Sequence, residues 1–217
     1  MNIDAYHEIK RLADEQGITL VAVSKFKPLE DIQMLYDLGQ RDFGENFVQE
    51  LGIKYEALPK DIRWHFIGHL QRNKVKYIAP FVHLVHGVDS ERLLEEISKQ
   101  GSKINRQIQC LLQVHIAAEE TKFGLDENEV KELLTKMGKA DTSFEHVVVR
   151  GLMGMASFTE NKEKVSEEFN KLQMLFKTIH ASNDFNILSM GMSGDYDTAM
   201  QHGSTMIRVG SLIFGNR

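Results

Sequence analysis

The feature that most constrains this chain is an alternation. Short apolar runs rich in valine, isoleucine and leucine are separated by longer stretches whose apolar residues recur at helical spacing, and the pattern continues to the C-terminus. Eight runs qualify: "ITLVAVSKF" from Ile18, "RDFG" from Arg41, "IRWHFIG" from Ile62, "VHLVHGV" from Val82, "IQCLLQVHI" from Ile108, "HVVVRGLMG" from His146, "NILSMGM" from Asn186 and "TMIRVG" from Thr205. Several are nearly continuous in apolar residues, as are parallel strands covered on both faces. Eight strand and helix units predict an α/β fold of one domain over residues 1–217, a closed (β/α)8 TIM barrel near the lower end of that fold's length range. An additional helix, roughly Ile3 to Glu15, precedes the first strand. An open doubly wound sheet is the alternative, but "SKFKPLED" after the first strand contains no glycine, so the dinucleotide fingerprint is missing.

Local signals place the helices. Pro28 suits a first-turn position, where its missing N–H costs little, and Ser90 and Asp126 stand as N-caps before "ERLLEEISKQ" and "ENEVKELLTKMG". The longest amphipathic pattern runs from Asn161 to His180, and the shortest is "GDYDTAMQHG" from Gly194. The acidic stretch from Glu160 to Glu168 reads as a solvated face supported by spaced lysines.

Composition narrows the function. With 26 basic and 31 acidic residues the formal charge is −5, which suggests no general attraction to nucleic acid or anionic membrane, so small molecules are the expected partners. One cysteine, Cys110, cannot build a disulfide framework, and "MNIDAYHEIK" lacks the order of a secretion signal, so a cytoplasmic location is expected. No apolar stretch reaches the ~18 residues of a membrane span.

In a barrel, functional groups gather at the C-terminal ends of strands, and Lys25 ends the first one. By alternation it shares a face with Val21 and Val23 and points toward the barrel mouth. Partial desolvation there favours a neutral amine able to form a Schiff base with an aldehyde. For a single lysine the competing reading is a solvated rim residue, with Lys27 as the important one. The other end of the chain shifts the balance, because closure brings strand eight beside strand one. Arg208 is followed by Gly210 and Ser211, and Ser193 and Gly194 precede a short helix, so glycine turns, hydroxyls and a helix start together suit a phosphate. "GMSG" is one residue short of a nucleophile elbow, so Ser193 is not read as a nucleophile. Together these residues describe a site for a phosphorylated aldehyde.

The segments "VAVSKFKP", "FGENFVQE", "WHFIGHLQRNKVK" and "LSMGMSGDYDTAMQHGSTMIRVGSLIFG" resemble the pyridoxal phosphate homeostasis protein family, in register from Val21 to Gly215. The resemblance implies the barrel of the alanine racemase N-terminal domain (fold type III) and pyridoxal 5′-phosphate (PLP) held as an internal aldimine. By the same resemblance Lys25 bonds the cofactor aldehyde, and Ser193, Gly210 and Ser211 bind its phosphate. Arg208 faces the pyridine nitrogen and Asn46 lies near the phenolic oxygen. Phe26 after the lysine and Phe47 after the asparagine stand where family members vary. A permanently charged arginine at the pyridine nitrogen disfavours its protonation, and so weakens the ring as an electron sink. The chain ends at Arg217, shortly after Ser211, so the second domain that racemases use is not expected, nor is efficient racemisation.

The expected function is to hold and deliver PLP in vitamin B6 and amino-acid homeostasis, without efficient catalysis, as a monomer, with apo PLP-dependent enzymes as candidate recipients. A weak PLP-dependent amino-acid racemase, an aldolase using Lys25, and a scaffold without cofactor are the alternatives. His65 and His69 have the spacing of some zinc sites, but the pair crosses Gly68, so structural or cofactor-adjacent roles are expected. Cys110 reads as core packing, and Met153, Met155, Met190 and Met192 as gap-fillers near the barrel mouth. The basic run Gln71 to Lys76 reads as a solvated helix face, with a partner surface left open.

Overall fold

A computed structural model describes residues 1–117, 123–138, 143–179 and 185–215. Eight parallel strands close in chain order into a barrel: β1 (Thr19–Val23), β2 (Asp42–Glu45), β3 (Arg63–Phe66), β4 (Leu84–Val88), β5 (Ile108–Val114), β6 (Val147–Gly154), β7 (Ile187–Ser189) and β8 (Met206–Val209). Seven of the eight expected apolar runs contain one of them whole, and β2 runs one residue past "RDFG", to Glu45. Closure pairs β1 with β8, with Val21 opposite Arg208 and Ala22 opposite Val209.

The described helices are α1 (Ile3–Glu15), α2 (Leu29–Asp37), α3 (Val48–Ala57), α4 (Val75–Ile78, after a 3₁₀ turn over Arg72–Lys74), α5 (Glu91–Lys103), α6 (Glu127–Met137), α7 (Lys162–Ile179), α8 (Tyr196–Gln201) and α9 (Ser211–Phe214). The N-terminal α1 occupies the expected span. Asn2 caps it by accepting from the Ala5 N–H at 3.1 Å, and Tyr6, Ile9 and Ala13 form its buried stripe. Its entry is tied to the last helix, since the Asn2 N–H donates to the Ile213 carbonyl at 2.7 Å. Among these helices none is long and apolar enough to cross a membrane.

The caps divide. Asp126 accepts from the Glu129 N–H at 2.9 Å while Glu129 accepts from the Asp126 N–H at 2.8 Å, a complete capping box. Ser90 is the N-cap of α5 but makes no capping bond, its hydroxyl turning instead to the Asp89 carboxylate at 3.3 Å. Pro28 is the N-cap of α2, one position ahead of the expected first turn. The long pattern from Asn161 is α7, and its expected last residue, His180, lies outside the described residues, as does Arg217.

Strand alternation sorts the core into two layers. Trp64, Phe66, Phe43, Leu112 and Ile207 face outward under the helices, and burying each large side chain contributes roughly 1.5–3 kcal/mol. Val21, Leu84, Leu111, Met153 and Met206 face inward as an apolar cluster inside the barrel, with Met155 packed against it. Met190 instead joins the outer layer. Cys110 is also in the outer layer, where burial pushes its thiol pKa far up and makes it an inert packing group.

One sequence expectation is corrected here. Glu168 is not on a solvated face: it is 4 % exposed and accepts from the Ser157 N–H at 2.6 Å and the Ser157 hydroxyl at 2.7 Å. Ser157 follows the end of β6, so this carboxylate pins α7 to the loop it covers. Helical periodicity counts Glu168 as polar and therefore outward; a buried hydroxyl and N–H seeking an acceptor override it.

Candidate functional site

Lys25 lies in the turn after β1, part-buried, and both of its chain neighbours are held from below. The Ser24 N–H donates to the Gly44 carbonyl at 3.0 Å, and the Ser24 hydroxyl donates to Glu45 Oε1 at 2.5 Å. Lys54 Nζ, reaching up from α3, donates to the Ser24 carbonyl at 2.8 Å, to Glu45 at 2.8 Å and to Glu50 at 2.6 Å. On the far side the Phe26 N–H donates to Glu50 Oε1 at 2.6 Å, with Phe26 at φ 62°, a left-handed conformation that costs a bulky residue energy and persists where its surroundings impose it. Glu45 is fully buried; burial raises its pKa against the opposing Lys54 charge. Ser24, Glu45, Glu50 and Lys54 thus form a platform under Lys25.

The next lysine has a different task. Lys27 Nζ donates to the carbonyls of Phe214 and Gly215 at 3.1 Å each, closing the C-terminal end of α9. Lys27 is thereby tied to the end of α9, whereas Lys25 stands over the platform.

Across the β1/β8 seam stand the residues suited to an anion. Gly210 caps α9, and a Cβ added there would crowd both Cβ and the carbonyl oxygen of Val23 at 3.1 Å, so a bare backbone eases the close pass of the turn after β8 along the end of β1, two residues before Lys25. The Gly210 N–H donates to Ser193 Oγ at 3.2 Å, which leaves the Ser193 hydroxyl proton free in direction to serve another acceptor. Ser211 is the first residue of α9, where N–H groups have no partner within the helix. The Ser193 turn is shaped by Asp195, which accepts from the Met192 N–H at 2.6 Å, and by Gly191 at φ 97°, where a Cβ would meet that of Ala199 at 2.6 Å.

Arg208 points into the barrel beneath these loops and is 4 % exposed. Its Nη1 donates to Ser189 Oγ at 2.5 Å and its Nη2 to the Gly154 carbonyl at 3.1 Å. Burial lowers its pKa to about 10, opposed by the Asp195 charge, so it stays a cation at neutral pH. Asn46 directly follows β2, and its amide oxygen is buried without a hydrogen-bond partner. The loops of Asn46 and Lys25 touch, since the Phe47 and Phe26 rings lie 5.0 Å apart. The six residues singled out by sequence therefore stand at the C-terminal ends of β1, β2, β7 and β8 or on the loops that leave them.

Sequence reasoning missed Glu45, Lys54 and Ser189. For the first two a signal existed: Glu50 and Lys54 are an i,i+4 pair at the start of α3, close behind the strand-end Glu45. Ser189 carries no local signal. His65 and His69 part company, His65 turning into the barrel and His69 toward Asp89 at 3.1 Å, its ring stacked on Phe123. The basic run forms the 3₁₀ turn and α4, with Val75 buried and the other residues from Gln71 to Lys76 partly or fully exposed.

Residues 4–217 match the family described as "Alanine racemase, N-terminal domain". The chain is 40 % identical over 208 residues to a pyridoxal phosphate homeostasis protein of Aquifex aeolicus, covering 94 % of this chain and 89 % of that one. A protein of the same name from Schizosaccharomyces pombe is 35 % identical over 216 residues, covering 97 % and 89 %. Among solved structures, PipY of Synechococcus elongatus with PLP bound superposes with a TM-score of 0.82 at 31 % identity, over 95 % of this chain and 99 % of that one. Alanine racemase from Bartonella henselae shares the fold, with a TM-score of 0.74 at 19 % identity over 100 % of this chain and 60 % of that one. By its barrel, its family match over residues 4–217 and its identity to these relatives along most of their length, the chain belongs to the pyridoxal phosphate homeostasis protein family, built on the alanine racemase N-terminal domain.

Proposed function

We propose that this protein, as one barrel domain over residues 1–217, binds PLP through Lys25 and holds it for delivery in B6 and amino-acid homeostasis rather than for turnover. The observation that carries the reading is the seam where Val23, two residues before Lys25 and its buried platform, passes close to Gly210, whose N–H holds the Ser193 hydroxyl. The residues present fit the cofactor. The buried, unpartnered Asn46 amide oxygen marks polar capacity left unspent at the mouth, and the close pass of Gly210 to Val23 leaves a backbone cradle at the start of α9. PLP supplies an aldehyde that amines capture reversibly, and that exchange suffices for holding and release.

Each residue has a separable task. Lys25 supplies the amine, and the platform fixes its backbone so that capture needs little reordering. Ser193, Gly210 and Ser211 take the phosphate through one hydroxyl and backbone N–H groups. Arg208, a donor only, meets the ring nitrogen as a cation, which keeps a proton off it and disfavours carbanion chemistry. An aldolase reading uses the phosphate seam where its substrate is phosphorylated, but leaves Arg208 without a task. We read the protein as a monomer that acts in the cytoplasm and passes PLP to apo-enzymes.

The test is PLP addition to the wild type and to Lys25→Ala, followed by borohydride reduction and peptide mass mapping. A visible absorption band and a reduced pyridoxyl label on Lys25 in the wild type, both lost in the variant, support the reading. A labelled Lys27, or no saturable label at all, would overturn it. Incubation with single-enantiomer alanine then separates carrier from racemase, the carrier leaving the enantiomer unchanged.

A further inference from the structure

From Arg208 a line of polar side chains runs down the barrel interior, and beyond Arg208 neither the cofactor loops nor the platform uses them. Arg208 Nη1 donates to Ser189 Oγ at 2.5 Å; Ser189 Oγ lies 3.1 Å from His86 Nδ1; His86 Nε2 lies 2.9 Å from His65 Nδ1; and His65 Nε2 lies 3.0 Å from Asp42 Oδ1. All five side chains come from different strands, β8, β7, β4, β3 and β2, and all are buried. At the opposite end of the barrel Arg63 closes the line with two bonds to Asp42, at 2.7 and 2.5 Å.

Hydrogen-bond chemistry gives this line one direction. A guanidinium only donates, so Ser189 Oγ accepts from Arg208, and His86 Nδ1 is the one other partner described for that hydroxyl. A buried hydroxyl whose proton has no acceptor is costly, so the Ser189 proton goes to His86 Nδ1, which then accepts. His86 is completely buried and burial holds its pKa well below the ordinary value, so the ring is neutral with its proton on Nε2. That proton goes to His65 Nδ1, which must also accept, and His65 then donates through Nε2 to the Asp42 carboxylate, an acceptor only. Every bond points the same way, from a buried cation at the mouth to a buried anion at the base.

We propose that His86 and His65, through Ser189, are positioning residues for Arg208: they tie its guanidinium to the Asp42 carboxylate across the barrel and hold it charged and aimed at the ring nitrogen. The surroundings of Arg208 give the reason such a device is needed. Among the described residues the side-chain bonds of Arg208 go to Ser189 and the Gly154 carbonyl and not to a carboxylate, Asp195 acting on it through its charge alone, and a buried cation costs several kcal/mol unless it is compensated. A chain of aligned hydrogen bonds ending on an anion supplies that compensation at a distance, because each bond polarises the next. The role toward the ring nitrogen rests on the PLP reading above, whereas the direction of the chain does not.

The experiment is long-range ¹⁵N–¹H correlation on the imidazole rings of the labelled full chain, before and after adding PLP, joined to PLP release rates of variants. The expected result is neutral His65 and His86, both protonated on Nε2, with His86 ring shifts that move when PLP binds. His86→Leu should release PLP about tenfold faster, since one charge-linked bond is lost. His86→Gln, which keeps one donor and one acceptor, should restore release to within about twofold. An Nδ1-protonated or cationic His86, or a folded His86→Leu with wild-type release, would overturn the proposal. If His86→Leu does not fold, Ser189→Ala cuts the same chain with little change in volume and carries the same expectation. Wild-type protein that binds no PLP overturns the cofactor reading and with it the role of the chain, while the tautomers of the ligand-free protein still decide its direction.

Discussion

Lys54 Nζ lies 2.8 Å from the Glu45 carboxylate, with the two side chains 4 % and 0 % exposed, and the same ammonium carries the Ser24 carbonyl one residue before Lys25. A buried ion pair is an uncertain source of net stability, but removing one partner leaves the other charge stranded. Lys54→Met therefore strands two carboxylates and should lower unfolding free energy by about 3–5 kcal/mol, read as a fall in the urea midpoint. Glu45→Gln should cost less, since the amide still accepts from Ser24 and Lys54. PLP capture should slow in both, and wild-type capture in a folded Lys54→Met would refute the platform.

Acid should weaken the fold in two stages of the same sign. Burial holds the pKa of His83 down to about 4, against an ordinary value of 6.5. Between these values the unfolded chain binds the extra proton, so stability falls as pH drops from 6.5 to 4. Asp42 adds to this lower down: burial raises its pKa, but the bonds from His65 and Arg63 outweigh that and hold it below the carboxylate range, so its contribution is lost as pH falls from about 4. Glu45, raised by burial, works the other way, favouring the fold at acid pH and opposing it as pH rises. Urea midpoints from pH 7 to 4 should therefore slope more steeply in the wild type than in His83→Gln; equal slopes would remove His83 from the account.

Two neighbouring glycines should behave differently. Gly210→Ala would put a methyl 3.1 Å from the Val23 backbone oxygen, whereas nothing lies within 4 Å of a Cβ at Gly194. The first should cost about 1–3 kcal/mol by overpacking and loosen PLP retention. Gly194→Ala should change stability by no more than about 0.5 kcal/mol. Thermal melts and filter-retained PLP measure both, and matching behaviour would deny the close pass its importance.

Glu168→Ala should destabilise by about 1.5–3 kcal/mol, because it removes the acceptor of the buried Ser157 N–H and hydroxyl. Glu168→Gln keeps an acceptor in place and should lose less than half as much. A neutral Glu168→Ala in chemical denaturation would mean that the contact contributes nothing.

The strand-end residues were legible because barrel closure follows from counting units, and the count places Lys25 beside Gly210 and Ser211 without any coordinates. Helix α1 was legible to its ends for a similar reason: an Asn cap, a buried stripe and a following strand are all local. Glu168 was misread because burial there answers a partner eleven residues earlier, on another element. The difference between Lys25 and Lys27 was also invisible, since Lys27 finds its acceptors 187 and 188 residues away.

The sequence by itself determined the alternation, the barrel, the lysine at the end of its first strand and the family. Those rest on periodicity and short motifs, which need only neighbours along the chain. Tertiary structure alone decided the platform of Glu45 and Lys54 and the line from Arg208 through Ser189, His86 and His65 to Asp42. Alternation tells which side chains face the barrel interior, but not which of them meet. His86 and Ser189 are 103 residues apart, and only the closed barrel brings an imidazole of β4 against a hydroxyl of β7.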